Sequence, residues 1–576
     1  MTAESAHGDD ASNWDSWLAG WVDGTRTGPD TRTPPPTRPD RSAKLLSRRA
    51  VLGGLFAAPV AGAIGVRLLA SGGEAVGATA LPLTPAAPAS LAGGVAPVGP
   101  VSIRDENARA GTTDWQIPQD GAVWEKVRGF VNRTSIAVGE SLDLYVGTSG
   151  TAVAATVFRM GHYGGLGGRQ VWTSGIVPAK AQPPARVDPK TNMRDAPWTK
   201  TLSFATDDGW VPGAYLVKLV SDDGGQSQIP FVLRADRPSD VHIQHDVTTW
   251  QAYNRWGGAS LYEGTNGRSS VVSFDRPYDN SGSGHFLGGV YEIGALVESL
   301  GLDVTYSTSL DTHTRPDAVA GHHLWISPAH DEYWSLEMRN GVEAARDAGV
   351  NLMFLGANCM FRRIRLDPSP LGHARQVVNH RIATQDPLNG TDPARVTTSW
   401  REGPAARPES SIIGTYYESN PVKADLVIAD ASAWMFAGTG IRDGDRWPDV
   451  VGNEYDRVTP EAPTPPTIQV LGHSPVLIKG HRSFSDMTYY TTDSGAGVFS
   501  SGTIWFERHL LPGGTTYDAQ IVAMMTNLLV EMARGPVGRT HPSIPNLGRF
   551  GIRAGYVPRV DPAPESSTSG SRSSRR

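Results

Sequence analysis

His322-His323-Leu324-Trp325-Ile326-Ser327-Pro328-Ala329-His330-Asp331-Glu332-Tyr333-Trp334-Ser335 opens with an apolar run too short for a helix. Leu324-Trp325-Ile326 reads as a buried strand, and Ser327-Pro328 ends it, because proline has no N–H for a sheet ladder. The polar knot His330-Asp331-Glu332 comes next. Ser335 then stands where it can cap a helix over 336–347. A strand, a polar knot and a helix N-terminus in that order describe the carboxyl edge of an open α/β sheet, where ligands bind.

The chain on either side repeats this alternation. Residues 241–245 read as a strand ending in Asp246, 289–300 as a helix and 303–307 as a second strand. Gly349 closes the 336–347 helix, and 350–356 forms another buried strand. The pattern predicts a doubly wound, mainly parallel, flavodoxin-like sheet over 237–550. Further strands are expected at 426–429, 467–471, 487–491 and 502–506, with a last helix at 517–533. The Pro/Asp/Arg-rich stretch 374–466 reads as an insertion over the sheet edge. Upstream, 101–236 alternates polar and apolar residues with frequent turns, which predicts an immunoglobulin-like β-sandwich. Tyr215 sits at a strand start, where such sandwiches place a corner tyrosine. The glycine-dense segment Arg159–Arg169 lacks the Lys-Ser/Thr of a phosphate loop, so tight turns explain it better.

At 576 residues the chain exceeds one core. A net charge of −6 gives no footprint for nucleic acid. The single cysteine, Cys359, excludes an intramolecular disulfide and a cysteine-built metal site. Residues 1–46 have a disordered composition. Ser47-Arg48-Arg49 leads into an apolar Gly/Ala-rich run, so 47–80 resembles a twin-arginine export signal, with a linker at 81–100. The competing reading is a membrane anchor through 50–66, a run short of the roughly 20 residues needed to span. Residues 551–576 read as a disordered tail, and homo-oligomerisation is compatible with the sequence.

Several polar groups should meet at the sheet edge: Asp246 and Tyr253, His330 and Glu332, Asn358 and Cys359, and Glu454 in a similar strand-then-acid context. A His-x-Glu pair presents both side chains on one side of an extended segment. One group of such a pair can bind a metal while the other handles a proton; capping or structural polar contacts are the competing use.

His330–Ser335, Trp250-Gln251-Ala252-Tyr253-Asn254 and Gly452-Asn453-Glu454-Tyr455-Asp456 together resemble the large (β) subunit family of N,N-dimethylformamidase. Arg159-Met160-Gly161-His162-Tyr163-Gly164-Gly165 and Gly495-Ala496-Gly497-Val498-Phe499 fit the same family, and the resemblance spans about 101–550. It implies a β domain before a glutamine-amidotransferase-like α/β domain. It also implies hydrolysis of a small amide or amine-containing substrate with ferric iron, Fe(III), held by two tyrosines and a glutamate. By motif, Glu332 and Tyr253 would be ligands, with His330 and Glu454 as the catalytic imidazole and second acid. Tyr215 is the candidate for the second tyrosine, against its reading as a corner residue. The family's characterised enzyme is cytoplasmic and has a small partner subunit, whereas this chain carries an export-like N-terminus. Two other readings remain. Cys359 could be a nucleophile helped by His330, although Phe361 replaces the glycine of the usual elbow. Alternatively, sixteen tryptophans could serve an envelope or carbohydrate-binding protein on a degenerate scaffold.

Overall fold

The computed structural model describes residues 101–552 apart from 513 and 515. The expected export signal, the linker and all but the first two residues of the tail lie outside the described residues. The protein is mixed α/β, with many strands, few helices and several sheets.

The alternating segments of the first unit form two sheets. Val127–Val131, Ser141–Thr148 and Leu202–Ala205 make a three-stranded antiparallel sheet. Ser135–Ala137, Gln226–Arg234, Gly213–Ser221, Ala152–Met160 and Gly168–Pro178 make a five-stranded one. Successive side chains of a strand face opposite ways, so one face of each sheet is apolar. Leu142, Leu144 and Phe204 of the first pack with Val153, Val217 and Ile229 of the second in one core.

The second unit is built on seven strands in the order Val304–Thr308, Ser239–His245, His322–Pro328, Asn351–Leu355, Gly497–Ser500, His481–Thr491 and Gln469–Ile478. The first five run parallel, and His481–Thr491 runs antiparallel to both of its neighbours. Both faces are covered. Ile243, Ile326 and Met353 pack with Ile293, Leu296 and Met525 of the helices Tyr291–Ser299 and Ala519–Met532. On the other face Trp325, Leu352 and Phe354 pack with Met338 and Val342 of the helix Leu336–Asp347. Burial on both sides explains why these strands read as apolar runs rather than alternations. The Ser335 side chain accepts from the Met338 N–H at 3.3 Å, which starts that helix.

Two expectations need correction. The strand expected at 502–506 lies at Gly497–Ser500, because Gly502 has φ of 66° and turns the chain there. The strand expected at 426–429 is the end of Tyr416–Val427, which pairs with Arg446–Arg457 as a long ribbon. That ribbon belongs to the 374–466 stretch. It packs its own apolar residues, Val422, Trp447 and Val451, into the core shared with the seven-stranded sheet.

The glycine-dense segment joins the two units. Arg159 donates from Nη1 and Nη2 to Glu298 at 3.0 and 2.8 Å, and both side chains are fully buried. Asn107 and Tyr306 donate to the same carboxylate at 2.7 and 2.8 Å. Removing one partner of a buried pair leaves an uncompensated charge. Arg159→Leu is therefore expected to lower the urea-unfolding free energy by about 3–5 kcal/mol, with much of the loss recovered in Arg159→Leu/Glu298→Leu. A single variant as stable as the parent would show that the pair does not hold the units together. Nearby, Glu292 Oε2 is buried without a partner, and burial raises this carboxyl from 4.5 to about 8. The folded chain thus binds that proton more tightly than the unfolded one. Its contribution to stability is complete below about pH 4.5 and is lost as pH rises through about 8. Glu292→Gln should flatten that slope in a pH series of thermal melts; an unaltered slope would assign it to other groups.

Candidate functional site

Ser239–His245 lies between Val304–Thr308 and His322–Pro328, so the chain leaves it toward one side and later returns on the other. Such a switch point opens a crevice at the carboxyl ends of the strands. Two connections meet there. One follows Ser239–His245 and carries the helix Val247–Tyr253 and the loop to Tyr262; the other is the knot after Pro328.

The knot is held by its middle residue. Asp331 is fully buried and accepts from Gln244 Nε2 at 2.8 Å and Ser327 Oγ at 2.9 Å. Thr249 Oγ1 accepts the N–H groups of Glu332 and Tyr333 at 3.0 and 3.2 Å. The Asp331 and Glu332 carbonyls accept from the N–H groups of Met360 and Arg362, both at 2.8 Å. Ala329 has φ of 52°, and its N–H reaches Glu507 Oε1 at 2.5 Å. Gly356 allows this approach: a Cβ there would stand 1.7 Å from the Ala329 carbonyl oxygen.

With Asp331 turned inward, His330 and Glu332 turn outward together. Glu332 Oε2 accepts from Tyr253 at 2.8 Å and from Tyr262 at 2.5 Å, and the two phenol oxygens are 2.7 Å apart. The rings of Tyr253 and Tyr262 stack with centroids 4.3 Å apart. His330 Nε2 stands 3.0 Å from the Tyr253 hydroxyl and 3.3 Å from Glu332 Oε2, while Nδ1 faces the Ala357 carbonyl at 3.1 Å. Arg362 Nε lies 3.5 Å from Glu332 Oε1, and the Arg381 guanidinium covers the Tyr262 ring at 4.1 Å.

Glu454 comes from the second strand of the ribbon. Its Oε1 accepts from Asn420 Nδ2 at 2.8 Å, and the Asn358 side chain lies against the same carboxylate. Neighbouring Asp456 accepts the Asn358 N–H at 2.8 Å, which fastens the ribbon to the turn after Asn351–Leu355.

These groups set one another's charge. Burial opposes the charged form of His330, but the Glu454 and Glu332 carboxylates outweigh it and raise the imidazole to about 10. Burial would likewise raise Glu332, yet the His330 hydrogen bond, with help from Arg362, lowers it to about 2. Burial raises Glu454, with His330 pulling the other way. Burial and the Glu332 charge push the Tyr253 and Tyr262 phenols well above their ordinary range. His330 is thus an imidazolium between two acids, and both phenols hold their protons more tightly than free tyrosine.

Of the residues expected at the site, Tyr253, His330 and Glu332 touch one another, and Glu454 interacts electrostatically with His330. Tyr215 is elsewhere. It lies in the core of the first unit, with its hydroxyl donated to the Val211 carbonyl at 2.5 Å, and the hydroxyls meeting Glu332 are those of Tyr253 and Tyr262. Tyr262 sits in an irregular loop with no periodicity to orient it, so the sequence alone does not mark it. The available signal was its place on the same connection as Tyr253. Asp246 faces inward and accepts from Trp250 Nε1 at 2.6 Å. Cys359 is buried, its Sγ stands 3.9 Å from the Ala329 and Ala357 carbonyl oxygens, and burial holds its thiol well above the ordinary range. Such a thiol is not an activated nucleophile. Every tryptophan among the described residues is buried or half-buried.

Among the described residues, His, Cys, Asp and Glu side chains form no metal-binding group of three or more. The convergent donors are instead two phenols and one carboxylate. Their chemistry fits a hard trivalent cation, with Tyr253, Tyr262 and Glu332 as the groups able to hold it.

No curated protein matches the chain. Among solved structures, a Paenibacillus sp. cycloisomaltooligosaccharide glucanotransferase bound to cycloisomaltoheptaose is 7% identical, over 52% of this chain and 61% of that one, with a TM-score of 0.15. That likeness is too slight to carry an argument. A family model described as N,N-dimethylformamidase beta subunit-like, C-terminal, matches residues 154–518. The match takes in most of the first unit, the knot, both tyrosines and the strand that carries Glu454, and by it the chain belongs to the N,N-dimethylformamidase beta subunit-like family.

Proposed function

We propose that this chain is a hydrolase of C–N bonds in small amides, working with ferric iron held by Tyr253, Tyr262 and Glu332. The observation that carries the reading is the meeting of two phenol oxygens and a carboxylate within 2.8 Å, beside an imidazolium and a second acid. In finer terms the first unit would be immunoglobulin-like and the second amidotransferase-like, and the export-signal reading of 47–80 makes the enzyme extracytoplasmic.

A bound ferric ion supplies Lewis acidity for the amide carbonyl and for water. Glu454, held by Asn420 and bordered by Asn358, is the base that takes a proton from the attacking water as the C–O bond forms. The same carboxyl returns that proton to the nitrogen as the C–N bond breaks, so water and amide give a carboxylic acid and an amine. His330 spends Nδ1–H on the Ala357 carbonyl and directs Nε2–H at the Tyr253 and Glu332 oxygens. Its positive charge works against the burial that raises Glu454 and offsets the negative charge that grows on the carbonyl oxygen as the carbon becomes tetrahedral.

Purified protein should contain about one iron per chain and show a tyrosinate charge-transfer band. Tyr253→Phe, Tyr262→Phe and Glu332→Gln should each weaken iron binding more than about tenfold and abolish or shift the band. Tyr215→Phe should keep both, losing only the stability of one hydrogen bond, about 1 kcal/mol. Iron-free, colourless protein with four indistinguishable variants would remove the metal from the reading. His330→Gln and Glu454→Gln should retain iron while kcat on a small amide falls about 10²–10⁴-fold. Full activity in either variant would remove that residue from the proton transfers.

A further inference from the structure

The outer side of the tyrosine pair carries positive charge that the protein does not balance. Arg381 lays its guanidinium 4.1 Å from the Tyr262 ring centre and donates from Nη2 to the Tyr333 hydroxyl at 3.2 Å. Arg268 donates from Nη2 to the His380 carbonyl at 2.8 Å, which sets it beside the Arg381 backbone. Arg362, whose N–H holds the Glu332 carbonyl, brings Nε within 3.5 Å of Glu332 Oε1. Three guanidiniums therefore meet a single carboxylate, and that one is shared with both phenols. Arg268 and Arg381 bond only to neutral groups: carbonyls, a phenol hydroxyl and an aromatic face. Nearby Arg365 and Arg375 differ, each held by an aspartate at 2.7 and 2.8 Å. Burial, with the Arg381 and Arg362 charges, pulls the Arg268 guanidinium below its ordinary range. The whole chain has a net charge of −6, so the surplus is local. It faces an opening, since Tyr262 and Ile382 are 37% and 51% exposed. Clustered like charges repel, and an arriving anion relieves that repulsion. A guanidinium's planar N–H donors match a carboxylate in particular.

We infer that Arg268, Arg362 and Arg381 bind a carboxylate carried by the substrate, so that amides bearing an anionic group are this chain's favoured substrates. The inference rests on the amide-hydrolase reading above. Neutral small amides remain substrates, because the arginines act on a part of the molecule remote from the bond that breaks. Binding energy gained there lowers KM or is spent on holding the amide in place. Arg268 is the member of the three that can be changed alone, since its hydrogen bonds go to Ser269 and His380 and to none of Tyr253, Tyr262 and Glu332.

The test uses the iron-loaded full chain and two matched pairs of amides. N-formylglycine is set against N-formylglycinamide by formate release, and succinamate against 4-oxopentanamide by ammonia release. Each pair differs in the charge of its far end. At low salt, kcat/KM should favour the carboxylate in at least one pair by about tenfold or more, the scale of a charge-assisted hydrogen bond. The preference should shrink at about 0.5 M salt, because the arginines are partly exposed. Arg268→Gln, with iron content and melting temperature matching the parent, should narrow the ratio to about threefold or less, and Arg268→Lys should restore part of it. No preference for the carboxylate in either pair would overturn the inference while the amide-hydrolase reading stands. A ratio unchanged in Arg268→Gln would also overturn it, because the iron would then be holding the carboxylate. If no amide is hydrolysed, that reading falls, and calorimetry with N-formylglycine decides the arginines. Binding that is lost in Arg268→Gln would support the inference, and absent or unaltered binding would overturn it.

Discussion

Asp331 is fully buried, and Gln244 and Ser327 hold its carboxylate at 2.8 and 2.9 Å. Consecutive side chains of an extended segment point to opposite sides. Anchoring the middle residue of His330-Asp331-Glu332 inward therefore presents its two neighbours outward on one side, with His330 Nε2 and Glu332 Oε2 3.3 Å apart. The backbone is fixed as firmly, through Thr249, Met360, Arg362 and the Ala329 N–H. A site that must hold oxygens within a few tenths of an ångström needs such support. Here it comes from packed strand ends and buried hydrogen bonds.

The remaining parts bring their groups to that anchor from far along the chain. Tyr253 and Tyr262 arrive on the connection after the neighbouring sheet strand, Ser239–His245, and Glu454 on a ribbon that shares the sheet's own core. Asp456, two residues past Glu454, ties that ribbon to the Asn358 turn through one hydrogen bond. The first unit supplies no group to the Tyr253–Tyr262–Glu332 cluster. It is fixed against the helix Tyr291–Ser299 by the Arg159–Glu298 pair, at the end of the glycine-dense segment. That segment's glycines read as tight turns, whereas the buried charge pair it delivers has no local signature. The partner carboxylate is 139 residues away.

The two tyrosines illustrate what could be read. Tyr215 stood out because its strand-start position follows a local rule, and a hydroxyl returning to the Val211 carbonyl four residues upstream is a local contact. Tyr262 lies in a loop without period, where no spacing tells which way a side chain faces. Only closure of that loop over the knot brings its hydroxyl 2.5 Å from Glu332. Asn358 was legible as a strand-end residue, but its place against the Glu454 carboxylate was not, because that contact depends on how the ribbon packs.

Local chemistry in the chain determined the strand–knot–helix order, the cap at Ser335 and the apolar strands buried on both faces. It also determined the pairing of His330 with Glu332, since alternation in an extended segment needs no distant partner. Tertiary structure alone decided which second phenol meets that pair, how Glu454 is oriented, and which strand, Gly497–Ser500, fills the fifth place in the sheet. Each of those outcomes depends on contacts between segments far apart in sequence. Periodicity and capping are set by neighbours within a few residues, but a meeting of loops is set by how whole elements pack.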